Sequence, residues 1–569
     1  MSLSSAADQL MLARLRAGRT ARGIASGIGR SFGVRPEVIG SDRDTIRLSP
    51  SDIHPGDPSF FTQVKQGLVT LSGQTANLCA GGLFDNPPTG SEFRAAAHGF
   101  TWLKDLRASE AGEADDLMRQ WTIDWLGGAD RSDPIARNPK VMTRRILSWL
   151  SHADILLQDV DADVYDAFMD RLISDLTDLA GRWRKIEDPG NRVQTLITLL
   201  AGGAALSSCQ LIADTVRPSA ESAFAELIRA DGSHVTRNPA LLVDILLDVL
   251  PIASACEALG SPLPETMSDR SQRALQHIRE MRHPDGSLAR FNGVGSTPRA
   301  ELGRLVLVGC TTEDQHDAVS IHGDYLRFDA AGTTMIADIG PCPPIEHAAN
   351  AHAGCLSFEL SSTSKPVIVN LGAPPLASTP DVLVARARAT ASHSTLALGG
   401  RSSARLQRSD SMAQLIGGQP IHGIKEVHHE VSEKPEELHL VASHNGYEPV
   451  FGVRHTRELT LSRDGNTLIG KDVITSANRT MRFASDIPFA IHFHMFPRNT
   501  CTREAHAGAA VITLPHGEVW RLSCTDAQLC LEDSVYFADT TGQTRCQQIV
   551  LRGASFGETT VAWQLCKLQ

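Results

Sequence analysis

Two histidines sit where chemistry is feasible: His352 in Ala351-His352-Ala353-Gly354 and His393 in Ala391-Ser392-His393-Ser394. Each flanks a short β-prone run, so adjacent strands can bring the rings together. Imidazole titrates near neutrality and also ligates metals, so such a pair suits proton transfer or metal binding. The chain has 21 histidines, however, and most of them will be surface or core residues. A second polar segment, Asp231-Gly232-Ser233-His234-Val235-Thr236-Arg237-Asn238-Pro239, separates two apolar helical stretches. Its structural reading is a helix connection with Asn238 as N-cap and Pro239 at the first helical position. Its functional reading is compatible, because loops at one end of a helical barrel are where a groove forms. His492 and His494 face the same way along an apparent strand, but no third metal ligand is evident. Arg144 and Arg145 beside Trp149 and His152 suit either a sugar-stacking wall or an ordinary buried tryptophan with solvated arginines. His98 reads as a packed helix-end histidine.

The elements that must position these groups fall into two textures. From about residue 92 to 282 apolar residues recur at i, i+3, i+4 and i+7, the spacing of amphipathic helices. The pattern predicts helices over 93–106, 115–126, 141–157, 164–183, 192–206, 220–230, 239–259 and 269–281. Short links such as Asp188-Pro189-Gly190, Asp231-Gly232 and Pro284-Asp285-Gly286 join them, as in stacked antiparallel hairpins. After about residue 320 short β-prone runs alternate with Gly, Asn, Asp and Pro, which predicts antiparallel sheet packed on sheet. Helices followed by strands mean segregated α and β domains. The expected organisation is a lead-in over 1–90, an incomplete helical barrel over 91–320 and a β-sandwich over 321–569.

Bulk properties narrow the function classes. With 569 residues, 42% hydrophobic and 21% charged, the chain is a multidomain globular protein. A formal net charge of -11 argues against nucleic acid as the main partner, so an acidic polymer would need a local basic cleft. Eleven cysteines without CxxC spacing read as reduced thiols. The Arg-bearing first thirty residues lack an apolar signal core, and no segment is apolar enough for a membrane span. These features predict a cytoplasmic chain.

In order and setting, the Asp231–Pro239, His352 and His393 segments resemble the heparinase II/III family of polysaccharide lyases. Asp338-Ile339-Gly340-Pro341 and Ser443-His444-Asn445-Gly446-Tyr447 add to the likeness. The resemblance implies an α/α toroid followed by a β-sandwich, and β-elimination on an acidic, uronate-containing polysaccharide; the periplasm then stays open as a location. That reaction needs a group to neutralise the uronate carboxylate, a base for the C5 proton and an acid for the leaving oxygen. Matched segment by segment, it assigns Asn191, Arg192, Arg237 and Asn238 to glycan binding and His234 to the base. His352 and His393 become the acid, an orienting group or metal ligands. The family's Asn-His pair reads Asn191-Arg192 here, and the register of the family's catalytic Tyr reads Asn238-Pro239-Ala240-Leu241-Leu242. No cofactor is required. A structural zinc would fall to His352, Asn370 and His393, with Asn where the family has Asp. The alternative is a catalytically silent glycan-binding protein on the same fold. A hydrolase would instead need opposed carboxylates, for which Asp85, Asp231 and Asp285 are available.

Overall fold

The computed structural model describes residues 11–14, 16, 44–78, 82–84, 90–129, 133–309, 317–376, 379–407, 410–477, 486–504 and 508–568. Asp85 therefore lies outside the described residues. The helical half comprises α1 (Ser59–Lys65), α2 (Ser91–His98), α3 (Leu103–Arg107), α4 (Gly112–Asp124), α5 (Pro139–Ser151) and α6 (Ala162–Arg182). It continues through α7 (Pro189–Ala205), α8 (Gln210–Leu227), α9 (Leu241–Ala258), α10 (Glu265–Glu280) and α11 (Arg299–Gly309).

Two kinds of helix build it. Most of α7 and α9 is buried, including Leu196, Ile197, Leu199 and Leu200 on one and Leu242, Leu246, Leu247 and Val249 on the other. Each such side chain contributes roughly 1.5–3 kcal/mol of burial, so these are the core-lining helices. Helices α8 and α10 bury one stripe only and lie outside them. Caps set the starts: Asp188 accepts from Asn191 N and Asn138 from Lys140 N, each ahead of a Pro at the first turn. Three predicted helices differ from expectation; the one over 141–157 stops at Ser151, and a separate short helix, Ala153–Leu156, follows. The single helix predicted over 93–106 is two, because Phe100 turns to φ +56 after Gly99. The helix predicted from 220 begins ten residues earlier, and Pro218 is carried inside it.

Two consecutive hairpins end in the same turn. Asp231 Oδ1 accepts from Ser233 N (2.9 Å) and Oγ (2.7 Å), and Asp285 Oδ1 from Ser287 N (2.8 Å) and Oγ (2.6 Å). Gly232 and Gly286 take φ +85 and +84. At Gly232 a Cβ would meet the Arg273 carbonyl carbon at 2.2 Å, so only glycine lets the turn lie against α10. Both turns face the strands.

The sheet half is a sandwich of an eight-stranded and a nine-stranded sheet, every pairing antiparallel. Phe358 of one sheet stacks on Trp563 of the other at 5.8 Å, and Phe493 meets the same ring at 4.8 Å. Val453–Ser462 alternates buried and half-buried residues along its length, the period-2 pattern of a strand with one face in the core. One polar cluster spans the sandwich. Asp472 accepts from His455 Nε2 (2.7 Å), Arg457 Nε (2.9 Å) and Nη2 (3.1 Å), and Trp563 Nε1 (2.9 Å). From there Arg457 Nη1 donates to the carbonyls of Leu356 (2.9 Å) and Ser394 (2.8 Å), pinning the segments that carry His352 and His393.

Candidate functional site

The predicted site residues divide into a group the fold brings together and a group it uses elsewhere. Where the helical turns meet the sandwich, Arg237 is buried and takes φ +61. Its Nη2 donates to Asp338 Oδ1 (2.6 Å) and Asp324 O (3.0 Å), and its Nη1 to Pro341 O (3.0 Å). The guanidinium also lies 4.6 Å over the Tyr325 ring. Tyr325 Oη donates to Arg237 O (2.6 Å) and accepts from Asn292 Nδ2 (2.7 Å), while Asn292 Oδ1 accepts from His352 N (3.4 Å). Beside this cluster, Glu359 binds His283 Nε2 (2.9 Å), Arg290 Nη1 (3.5 Å) and Asn370 N (2.8 Å). Asn292, Tyr325, Asp338 and Glu359 were not assigned roles from sequence. The repeated Asp-Gly-Ser turns are the signal that marks this end of the helical half.

His352 and His393 meet as expected from their strands. Their Nδ1 and Nε2 atoms are 3.2 Å apart. His393 Nδ1 faces the Ala389 carbonyl at 2.9 Å, so it carries the proton and Nε2 accepts from His352 Nδ1–H. That leaves a lone pair on His352 Nε2. Burial first, and then the His393 neighbour, holds the His352 ring well below the ordinary imidazole range; burial likewise lowers His393 to about 4. His352 is therefore a neutral and weak base.

His234 changes role. Its Nδ1 accepts from Thr236 N (3.2 Å) and pairs with Thr236 Oγ1 (2.7 Å), so the proton sits on Nε2. Burial, with His347, Arg229 and His277 nearby, lowers this ring to about 3. It can donate a hydrogen bond, but its lone pair is occupied, which disfavours a general base. Arg192 is also placed otherwise than expected. Its Nε and Nη2 donate to the Ile186 carbonyl (2.9 and 2.7 Å), closing the loop before α7. Arg237 is consumed by the interface just described, and Asn238 Oδ1 caps Ala240 N (2.9 Å). Asn191 is half-buried in the first turn of α7.

Three of the four tyrosine hydroxyls have hydrogen-bond partners within the fold. Tyr447 Oη donates to Leu396 O, Tyr165 Oη to Asp44 O, and Tyr325 is engaged as above. Tyr536 is buried under Arg290, and burial pushes its phenol up to about 12. The carboxylates of the two Asp-Gly-Ser turns, Asp231 and Asp285, each use Oδ1 to close their own turn. Trp149, Arg145 and His98 are structural. Trp149 is buried and stacks on Phe168 at 4.4 Å; Arg145 is buried on Asp175; His98 Nδ1 accepts from Trp125 Nε1.

A structural zinc held by His352, Asn370 and His393 would fit these residues poorly. The imidazoles are bonded to each other, Asn370 Oδ1 already accepts from Ser394 N, and Asn370 Nδ2 is buried without a partner. Among the described residues no group of three or more His, Cys, Asp or Glu side chains is placed to hold a metal. A neutral amide in place of a carboxylate is a weak zinc ligand.

The buried rings make stability pH-dependent. His277 and His393 are fully buried and lowered from 6.5 to about 4, mainly by desolvation. Depressed values mean the unfolded chain binds more protons below pH 6.5, so stability present above that pH is lost on acidification. We expect each ring to cost about 2 kcal/mol at pH 5, seen as a lower urea midpoint at pH 5 than at pH 7.5. A midpoint independent of pH in this window would show that these rings are not buried and neutral.

Comparison with known proteins agrees with this architecture. Residues 314–564 match the family model described as Heparinase II/III-like, C-terminal. The strand half of the chain is thus similar to the C-terminal domain of the heparinase II/III family. The heparan sulfate lyase HepC mutant from Pedobacter heparinus superposes with a TM-score of 0.69 at 12% identity, covering 98% of this chain and 91% of that one. A heparinase III structure gives 0.67 at 11% identity, again over 98% and 91%. At such identities the likeness shows the fold: a helical toroid followed by a β-sandwich. FtsZ-localized protein C of Caulobacter vibrioides is 25% identical over 542 residues, 92% of this chain and 90% of its own length.

Proposed function

We propose that this heparinase-fold protein works by binding and does not carry out β-elimination, and that, like its Caulobacter relative in name, it associates with FtsZ. One observation carries the first part: of the groups expected to neutralise a uronate or move its protons, Arg192, Arg237 and the His234 Nδ1 lone pair are already engaged within the protein. Arg237 and Arg192 are spent on Asp338 and on carbonyls, the His234 lone pair is occupied, and the hydroxyls of Tyr165, Tyr325 and Tyr447 have other partners. A transition state gains nothing from donors that must first abandon buried partners. The relative supports the second part, because it aligns over nearly the whole of both chains. The cytoplasmic location expected from the first thirty residues belongs to the same reading.

A second reading, a lyase for uronic-acid polysaccharides, is favoured by the lyases that share the fold and by the lone pair left on His352 Nε2. One pair of assays separates them: ultraviolet detection of unsaturated uronate across a panel of uronic-acid polysaccharides, and surface binding of purified FtsZ. FtsZ binding with no absorbance rise supports the proposal. A rise abolished by His352→Ala establishes the lyase and overturns it.

A further inference from the structure

The strand Val427–Glu433 is the outermost strand of the eight-stranded sheet. On one side it pairs in unbroken register with Glu437–His444, from Val427 opposite His444 to Glu433 opposite Leu438. Its other side meets no described strand. Natural sheets blunt such edges with Lys, Pro, a bulge or a very short strand. This edge has seven residues, none of them Lys or Pro, and no register shift. The other sheet ends differ: Val319–His322 and Thr500–Arg503 have four residues each, and Gln528–Asp539 carries an irregularity near its end.

The turn joining the two strands fixes which groups are free. Lys434 N donates to Glu437 O at 2.9 Å, and antiparallel bonding alternates from that pair. His428, Glu430 and Ser432 therefore turn their main-chain groups to the neighbouring strand, while Val427, His429, Val431 and Glu433 turn theirs to the open side. Side chains divide the same way. Val427, His429, Val431 and Glu433 stand opposite the buried His444, Ala442, Leu440 and Leu438, on the core face. Val427 and Val431 are only half-buried there, against the sandwich core. His428, Glu430 and Ser432 are exposed on the outer face.

This edge complements itself. Antiparallel pairing about a twofold axis through His429 sets that residue opposite its own mate, Val427 opposite Val431 twice, and His428 opposite Glu430 twice. About six main-chain hydrogen bonds form, all from groups that now face outward. The valines of both copies join into one apolar strip linking the two sandwich cores, and each His428 ring can donate to a Glu430 carboxylate. The register is selected too, because only even shifts keep core face with core face. Sliding by two residues either way loses both valine pairs. It also sets Glu430 against a carboxylate, its own mate in one direction and Glu426 in the other. We propose that the protein forms a twofold dimer through Val427–Glu433, joining the eight-stranded sheets of two chains edge to edge.

Sedimentation equilibrium of the full chain over a micromolar concentration series tests this, read beside amide hydrogen exchange. The mass should approach that of two chains, and exchange at Val427, His429 and Val431 should slow as concentration rises. His429→Pro removes an outward N–H without touching the ladder to Glu437–His444, and should leave a single chain throughout. His428→Glu sets carboxylates opposite each other and should weaken the dimer roughly tenfold; the swap His428→Glu/Glu430→His should restore it. A one-chain mass for the wild type at every concentration overturns the proposal, as does dimerisation that leaves those three amides unprotected. So does a dimer that survives His429→Pro, or a swap as weak as His428→Glu alone. Where circular dichroism shows a variant misfolded, the wild-type series and its exchange pattern decide.

Discussion

Replacing Arg237 with Met is expected to destabilise the protein by about 3–5 kcal/mol, the usual cost of leaving a buried charge without its partner. The guanidinium joins the helical half to Asp338 and to the carbonyls of Asp324 and Pro341, all in the strand half. Asp338 is itself buried; desolvation raises it against the pull of Arg237, so on losing Arg237 it must take a proton or stay charged in a poor medium. Because Met keeps much of the stem and the same backbone demand, packing loss is held small. The double variant Arg237→Met/Asp338→Leu should recover part of the loss, since removing both charges also removes the desolvation cost. Urea unfolding of both proteins checks this. A double variant no more stable than the single one would show that packing, not the stranded carboxylate, sets the cost.

Asp472→Ala is expected to have a comparable effect, about 3–5 kcal/mol, through a different route. The carboxylate accepts from His455, Arg457 and Trp563 in the middle of the sandwich, and without it Arg457 is a buried charge facing apolar rings. Burial opposes ionisation of Asp472, but the Arg457 charge and the bond from His455 outweigh it and hold the carboxyl well below the usual carboxylate range. A depressed carboxyl contributes stability that is present above the unfolded value near 4 and disappears as pH falls below it. The wild-type protein should therefore lose stability steeply below about pH 4, while Asp472→Ala should show a shallower acid limb in urea titrations at stepped pH. Parallel acid limbs in the two proteins would remove Asp472 as the source. Because Arg457 also binds the carbonyls of Leu356 and Ser394, near-ultraviolet circular dichroism should register disorder around the His352–His393 pair.

Much of the architecture was readable from period and punctuation. Helical spacing before residue 282 and short β-prone runs after 320 follow from burial on one face, which sequence records directly. Element ends were less readable where a local backbone choice decided them, as at Gly99-Phe100, or where a helix carried a proline, as at Pro218. The pairing of His352 with His393 was legible because both lie beside strands that could neighbour. The fates of Arg192, Arg237 and His234 were not, since each depends on which carbonyl, carboxylate or hydroxyl the fold brings within about 3 Å. Arg192 finds its partner six residues away, but Arg237 finds Asp338 across 101 positions.

The seam between helices and strands is stitched with charge: Arg237 to Asp338, Arg229 to Asp324, His283 and Arg290 to Glu359, and Arg327 to the carbonyls of Glu280 and Arg282. In each of these the two members come from opposite halves. A gene truncated at the change of texture would thus express a fragment with naked ions on what should be its dry face. The line where the chain changes its architecture is not a line along which it can be cut, and inheritance, recombination or engineering must treat the two halves as one piece.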